Sequence, residues 1–214
     1  VDIGANFGYF GLLAAQQTQK DCSVILFEAN PELIPYITKT MDMNAFSNCS
    51  KVENFAISNS EGSLILNVLE DHAASSSIHG IEEINSYNHE KMKLSSRVKV
   101  PAISLDSYCI KNKIPELNLI KMDIEGYEDI AYDGMRRIVA KSPNLTLFIE
   151  FTKKGYKSPK SFYNKMLKDF GYVYLIDDTG ALFKPSDSSY ESVISESAEW
   201  VMPVFSKNAN LVSG

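Results

Sequence analysis

Val1-Asp2-Ile3-Gly4-Ala5-Asn6-Phe7-Gly8 opens the chain, and Ser23-Val24-Ile25-Leu26-Phe27-Glu28 is the next apolar run. Val1-Asp2-Ile3 reads as the end of a buried strand. Gly4 to Gly8 make a tight turn, and Phe7 onward reads as a helix. A glycine turn at a helix N-terminus lets backbone N–H groups approach a ligand closely. The second run reads as a strand with Glu28 at its carboxyl end, 20 residues after Gly8. In a doubly wound sheet, an acid placed there accepts hydrogen bonds from two ribose hydroxyls. The opening therefore predicts an adenosine-type cofactor at the carboxyl edge of a parallel sheet.

Which cofactor follows from the turn. In the dinucleotide fingerprint G-x-G-x-x-G, the second glycine lets a pyrophosphate approach the backbone. Here the glycines are Gly4, Gly8 and Gly11, and the second position is Asn6. An amide crowds a diphosphate but suits a small zwitterion, because it donates to a carboxylate and accepts from an ammonium. Asp2 adds negative charge beside the turn. Both features favour S-adenosylmethionine over NAD. In Glu28-Ala29-Asn30-Pro31, Asn30 and Pro31 also suit an ordinary helix start, but that leaves the acid at the strand end unexplained.

Outward from this stretch, strands and helices alternate. Helices are predicted over residues 7–19, with Phe10, Leu13 and Ala14 inward, and over 31–44, with Leu33, Ile34, Ile37 and Met41 inward. Strands are predicted over 51–57, 63–69 and 98–103, with polar, weakly periodic residues 70–97 between the last two. A short helix over 105–111, a central strand over 118–123, a helix over 126–139 and an apolar strand over 145–151 follow. The C-terminal part reads as a helix over 158–170, a hairpin of 172–176 with 181–184, and an edge strand over 199–205. The alternation implies a parallel sheet with helices on both faces. Ligands in such sheets bind beyond the carboxyl ends of the strands, which places Gly4, Glu28, Ala56 and Asp123 around one crevice.

Five blocks in order then resemble the FkbM-type methyltransferases: Val1 to Gly8, Phe27-Glu28-Ala29-Asn30-Pro31, Asn54-Phe55-Ala56-Ile57-Ser58, Val100-Pro101-Ala102-Ile103-Ser104-Leu105-Asp106, and Leu119-Ile120-Lys121-Met122-Asp123-Ile124-Glu125-Gly126-Tyr127-Glu128. The resemblance runs to about residue 134 and more loosely to 151. It implies an α/β fold of Rossmann-like type, with a seven-stranded, mostly parallel sheet, helices on both faces and a C-terminal antiparallel hairpin. It also implies S-adenosylmethionine-dependent O-methylation of a hydroxyl on a sugar, polysaccharide or natural product. On that reading Gly4, Ala5, Asn6 and Gly8 hold the methionine end, with Asp2 near its ammonium. Glu28 binds the ribose, Ala29 lines the adenosine, and Ala56, Ile57 and Ser58 lie against the adenine. Such proteins usually carry sequence before the first strand. This chain has none and does not begin with Met, so it reads as a truncated single domain, 1–214, with an incomplete acceptor site.

A hydroxyl acceptor needs help losing its proton. Asp123 is the first candidate for the group nearest the methyl and the acceptor; holding the methionine ammonium or a metal are its alternatives. Glu125 is the second candidate. In an extended segment Lys121, Asp123 and Glu125 share one side. Glu128 and Asp129 read instead as helix-start acids. Glu150 is a lone acid closing an apolar strand, either structural or in contact with acceptor or metal. A magnesium site on Asp123 and Glu150 is possible but not favoured, because no further ligand set is legible. His72, His79 and His89 all lie in the 70–97 stretch, which reads as a lid or acceptor loop.

The 214 residues suffice for one core, with 44% hydrophobic and 22% charged residues. A net charge of −6 repels phosphate backbones, so nucleic acid is not expected as a partner. The expected partner is a small-molecule or glycan acceptor. Cys22, Cys49 and Cys109 show no zinc spacing and read as reduced thiols of a cytoplasmic protein. No apolar run approaches the roughly 20 residues of a membrane helix. Two other functions compete. One is an NAD-dependent oxidoreductase or epimerase, against which Asn6 argues. The other is a non-catalytic binding module, against which Asp2, Glu28 and Asp123 argue.

Overall fold

The computed structural model describes residues 1–18, 23–70, 76–80, 85, 91–152, 155–194 and 200–211. Its main sheet is built from β1 (Asp2–Ile3), β2 (Val24–Phe27), β3 (Ser50–Glu53), β7 (Leu119–Met122), β8 (Thr146–Ile149), β10 (Tyr172–Ile176), β11 (Leu182–Phe183) and β13 (Val204–Ser206). The spatial order of these eight strands is β11-β10-β13-β8-β7-β1-β2-β3. From β3 to β8 every pairing is parallel. From β8 to β11 every pairing is antiparallel. The expected seven-stranded, mostly parallel sheet is thus an eight-stranded mixed one. The hairpin of β10 and β11 forms at the place expected. The last strand does not form an edge. β13 lies between β8 and β10 with all its residues buried. The preceding β12 (Trp200–Val201) pairs instead with β9 (Phe151–Thr152) in a separate ribbon.

Alternation along β2 assigns the two faces. Val24 and Leu26 join a cluster with Ala15 of helix Tyr9–Thr18, Ile37 and Met41 of helix Ile34–Met43, and Leu33 just before that helix. Phe27 and Ile3 join the larger cluster with Leu105, Tyr108, Ala131, Ile138 and Met166, from helices on the opposite face. Two apolar faces on one sheet are what a helix-covered parallel core requires.

The first helix buries Gly11 and Ala15. Phe10 and Leu13, expected inward, are 49% and 40% exposed. Close packing decides this. A Cβ on Gly11 would lie 2.2 Å from Leu26 Cδ2, so the smallest residues face the sheet and the bulky ones face out.

The expected strand 51–57 is interrupted. β3 ends at Glu53, and β4 (Ala56–Ile57) joins a second sheet of order β4-β6-β5. β5 (Gly62–Leu69) and β6 (Leu94–Ile103) are antiparallel. The end of the expected 70–97 insertion is therefore strand from Leu94 onward. The expected helix over 126–139 is two, Glu128–Asp133 and Arg136–Lys141. The break has a visible cause. A Cβ on Gly134 would lie 2.0 Å from Ser58 O, so a glycine is needed at the close approach. Asp106 then caps the second helix, its carboxylate accepting from Ile138 N at 2.7 Å and Arg137 N at 3.0 Å. Among the described residues no helix is long and apolar enough to cross a membrane. Cys109 is a buried free thiol, whereas Cys49 is disulfide-bonded. The expectation of three reduced thiols is corrected, and with it goes the argument from thiols to the cytoplasm.

Candidate functional site

The carboxyl ends of β1, β2 and β7 open into a cavity of about 310 Å³. Its walls include Gly4, Ala5, Asn6, Glu28, Ala29, Ala56, Ile57, Asp123 and Glu125. Sequence separations of up to 121 residues close here because β1 is hydrogen-bonded to both β2 and β7.

The first turn is shaped by left-handed backbone. Gly4 has φ +76° and Asn6 has φ +51°. Gly4 N and Ala5 N both donate to Phe27 O at 3.0 Å, which ties the turn to the end of β2. Glu28 follows immediately and is 8% exposed. Its Oε2 accepts from Asn6 N and its Oε1 from Asn30 N, each at 2.8 Å. Burial pushes its carboxyl up from the usual range, and the Asn30 and Asn6 amides oppose that shift. Each carboxylate oxygen has two acceptor sites, so one per oxygen is left for a ligand hydroxyl. Asn54 Nδ2 donates to Glu28 O at 2.9 Å and Ala29 O at 3.0 Å, fixing the strand end. Asn6 Oδ1 and Asn30 Nδ2 are buried with no hydrogen-bond partner among the described residues. Orphaned polar atoms flanking Glu28 fit a site made for a polar ligand.

Three expected contacts are not on the cavity wall: Asp2, Gly8 and Ser58. Asp2 Oδ2 accepts from Gly11 N at 3.0 Å, and the Lys121 ammonium lies 3.7 Å from its Oδ1. Gly8 N closes the turn onto Ala5 O at 2.7 Å. Ser58 Oγ is paired with Tyr127 Oη at 3.3 Å. Lys121, Phe55, Phe7, Tyr9 and Phe10 are on the wall and had not been singled out for it.

The chain matches the family described as the methyltransferase FkbM domain over residues 2–174. It belongs to the FkbM methyltransferase family. Among solved structures it is similar to the methyltransferase FkbM from Methylobacillus flagellatus KT, with a TM-score of 0.56 and 15% identity over 96% of this chain. The chain spans 42% of the length of that protein. It is also matched, at TM-score 0.45 and 9% identity, to precorrin-6y C5,15-methyltransferase from Geobacter metallireducens GS-15, covering 96% of this chain and 77% of that one. No curated protein sequence matches it.

At the other side of the cavity, this FkbM domain turns sharply after β7. Glu125 has φ +56° and Gly126 φ +93°, so Glu125 does not continue an extended strand as expected, although it reaches the cavity. Glu128 braces the turn. It is fully buried, with Oε1 accepting from Ile124 N at 2.8 Å and Gly126 N at 3.4 Å, and Oε2 from Tyr156 Oη at 2.9 Å. It does open the helix Glu128–Asp133, as expected, but its brace on the turn was not foreseen. The available signal was its place in the Glu125-Gly126-Tyr127-Glu128 block, three residues beyond a turn that needs an acceptor.

Asp123, Glu128 and Glu150 bring carboxylate oxygens within 4.8 Å of one another. An all-oxygen set suits a hard cation, but Glu128 Oε1 already accepts two protein donors and Oε2 one, which leaves this buried acid a single acceptor site, so we assign no ion. Crowding shows in the proton affinities. Glu125 is pushed up to about 7, first by burial and then by Asp123 and Glu128. Burial also raises Glu128 to about 7. Glu150 rises to about 8, through burial and then the charges of Asp123, Glu125 and Glu128.

The 70–97 stretch reaches the site through residues 76–79. Ser76 and Ile78 are on the cavity wall. Ser77 Oγ donates to Glu125 O at 3.2 Å, and His79 Nε2 lies 3.0 Å from Gly126 O. His79 thus sits on the turn's backbone, paired there rather than directed at an acceptor. His72 and His89 lie outside the described residues.

Proposed function

We propose that this FkbM domain transfers a methyl group from S-adenosylmethionine to a hydroxyl of a sugar, polysaccharide or natural product. The observation that carries the proposal is the Glu28 carboxylate, oriented by the Asn6 and Asn30 amides toward the glycine turn. A vicinal diol of ribose supplies two donors, and Glu28 retains two acceptor sites. Ala29, Ala56 and Ile57 give an apolar wall for the adenine. The Gly4–Asn6 turn, with the free Asn6 Oδ1, suits the amino-acid end.

The bound cofactor supplies a methyl group on a positively charged sulfur. Carboxylates at the cavity, Glu28, Asp123 and Glu125, suit a cationic ligand better than a diphosphate. Asp123 would accept the proton of the acceptor hydroxyl, whose oxygen would take the methyl as the sulfur–methyl bond breaks and leaves a neutral thioether. Glu125, held near neutrality in its proton affinity, is the second acid at that position. Asp2 acts at one remove, through Gly11 and Lys121.

Calorimetric titration with S-adenosylhomocysteine and, separately, with NAD tests the assignment. Micromolar binding of the first and none of the second is expected; the reverse pattern overturns it.

A further inference from the structure

Lys121 takes no part in the proton transfer just described, yet it stands between the glycine turn and Asp123. Its side chain is 11% exposed. The ammonium donates to Gly4 O at 3.0 Å, lies 3.4 Å from Asp123 Oδ2 and lies 3.7 Å from Asp2 Oδ1. The Phe10 ring covers it at 5.2 Å. An ammonium has three N–H donors, and three acceptors surround this one. The arrangement follows from register: Asp2 is the neighbour of Lys121 across the β1–β7 pairing, so both side chains leave the same face of the sheet. Asp123, two residues on, lies on the same side. Gly4 meets this segment without room to spare, since a Cβ there would lie 1.9 Å from Asp123 O.

We propose that Lys121 is a positioning residue, stapling the Gly4–Asn6 turn to the Asp123 carboxylate and so fixing the distance between the cofactor's amino-acid end and the proton acceptor. The inference rests on the cofactor assignment above. Its argument is electrostatic as well as steric. A buried ammonium is retained only where anions and hydrogen bonds offset its lost hydration, and both are supplied by the two segments it joins. Asp2 Oδ1 has no hydrogen-bond partner among the described residues and lies 3.7 Å from the ammonium, so it serves as counter-charge rather than as a further clamp. The same ammonium lowers the proton affinity of Glu28, the residue assigned to the ribose, which also faces the Asn6 and Asn30 amides.

Three variants separate this role from simple neutralisation of Asp2. Lys121→Met removes the staple. Lys121→Met with Asp2→Asn removes it without leaving a buried charge, and stands in should the single variant fail to fold. Lys121→Arg keeps the charge. Amide hydrogen exchange at Ala5 and Asn6 is read without ligand, and S-adenosylhomocysteine affinity is read by calorimetry from pH 5 to 9. In the double variant, exchange is expected to quicken and affinity to fall, each by on the order of tenfold. The acidic midpoint for binding is expected to move to higher pH and to be restored in Lys121→Arg. Wild-type exchange and affinity in the double variant overturn the proposal. Failure of the wild-type protein to bind S-adenosylhomocysteine overturns the cofactor assignment and with it the proposed purpose, while exchange still reports whether the staple exists.

Discussion

Glu28 and Asn6 form one unit: the Asn6 amide donates to Glu28 Oε2 at 2.8 Å, across adjacent strands and 22 positions of chain. The acid after β2 therefore faces the turn after β1. That relationship converts two separate sequence signals into a single polar corner, and it sets the first expectation.

Glu28→Ala should abolish detectable binding of S-adenosylhomocysteine. Two hydrogen bonds to a charged acceptor are lost, each about 1.5–3 kcal/mol. The Asn6 and Asn30 amides also lose their partner, so thermal stability should fall too. Glu28→Gln, keeping one oxygen, should retain more stability than affinity. Calorimetry beside a melting curve decides, and unchanged affinity in the alanine variant removes the ribose role.

Asp123→Asn should keep the fold and bind S-adenosylhomocysteine within a few-fold of wild type, yet lose methyl transfer by about 100-fold or more. Single-turnover transfer to a responsive acceptor is the measurement. Full activity in this variant takes Asp123 out of the mechanism.

Gly4→Ala should destabilise by about 3 kcal/mol or more, because left-handed backbone and a backbone clash act together. The added Cβ would meet Asp123 O at 1.9 Å. Gly180→Ala is the control: φ is +83° there too, but nothing lies within 4 Å. It should cost only about 1–2 kcal/mol. Urea unfolding of the pair reads the difference, and equal losses would mean that crowding at the β7 end is absent.

Stability of the ligand-free protein should rise as pH falls from about 8 toward about 5. Glu125 and Glu128 are pushed up to about 7 and Glu150 to about 8 by burial and mutual repulsion. The folded state therefore binds protons that the unfolded chain releases, and the slope of unfolding free energy against pH is negative in that window. Acids held below their usual range, such as Asp177 and Asp187, lie on the surface and act only at lower pH. Urea midpoints at pH 6 and 8 test this; a lower midpoint at pH 6 contradicts the protonated cluster.

The parallel half of the fold was legible because its signals are local. Val24-Ile25-Leu26-Phe27 is continuously apolar, and the short helix expected over 105–111 forms as Leu105–Lys111. What failed depended on distant contacts. Nothing near Phe10 says that Gly11 must touch Leu26, so the buried face of the first helix was misplaced. The break at Gly134 comes from Ser58, and the capping acid Asp106 comes from another helix. The interior position of β13 depends on pairing with β8 and β10, which three residues cannot advertise.

The meeting of Glu28 and Asn6 at one cavity was readable from their spacing. The places of Lys121 and Glu128 were not. Lysine on a strand ordinarily reads as surface, and an acid at a helix start ordinarily reads as a dipole partner. Glu128 is instead fully buried and Lys121 largely covered, by segments that arrive from elsewhere in the chain. Asp2, expected beside the ligand, is off the cavity wall, because Gly11 N and the Lys121 ammonium, contacts from elsewhere in the fold, occupy its carboxylate.

The strand Val204–Ser206 carries a further consequence. It is the bridge between the parallel half of the sheet and the hairpin, and it is synthesised after both. During translation β8 and β10 must therefore wait as two open margins, each able to recruit a wrong neighbour. Closure of the centre is deferred until residue 206 has been made.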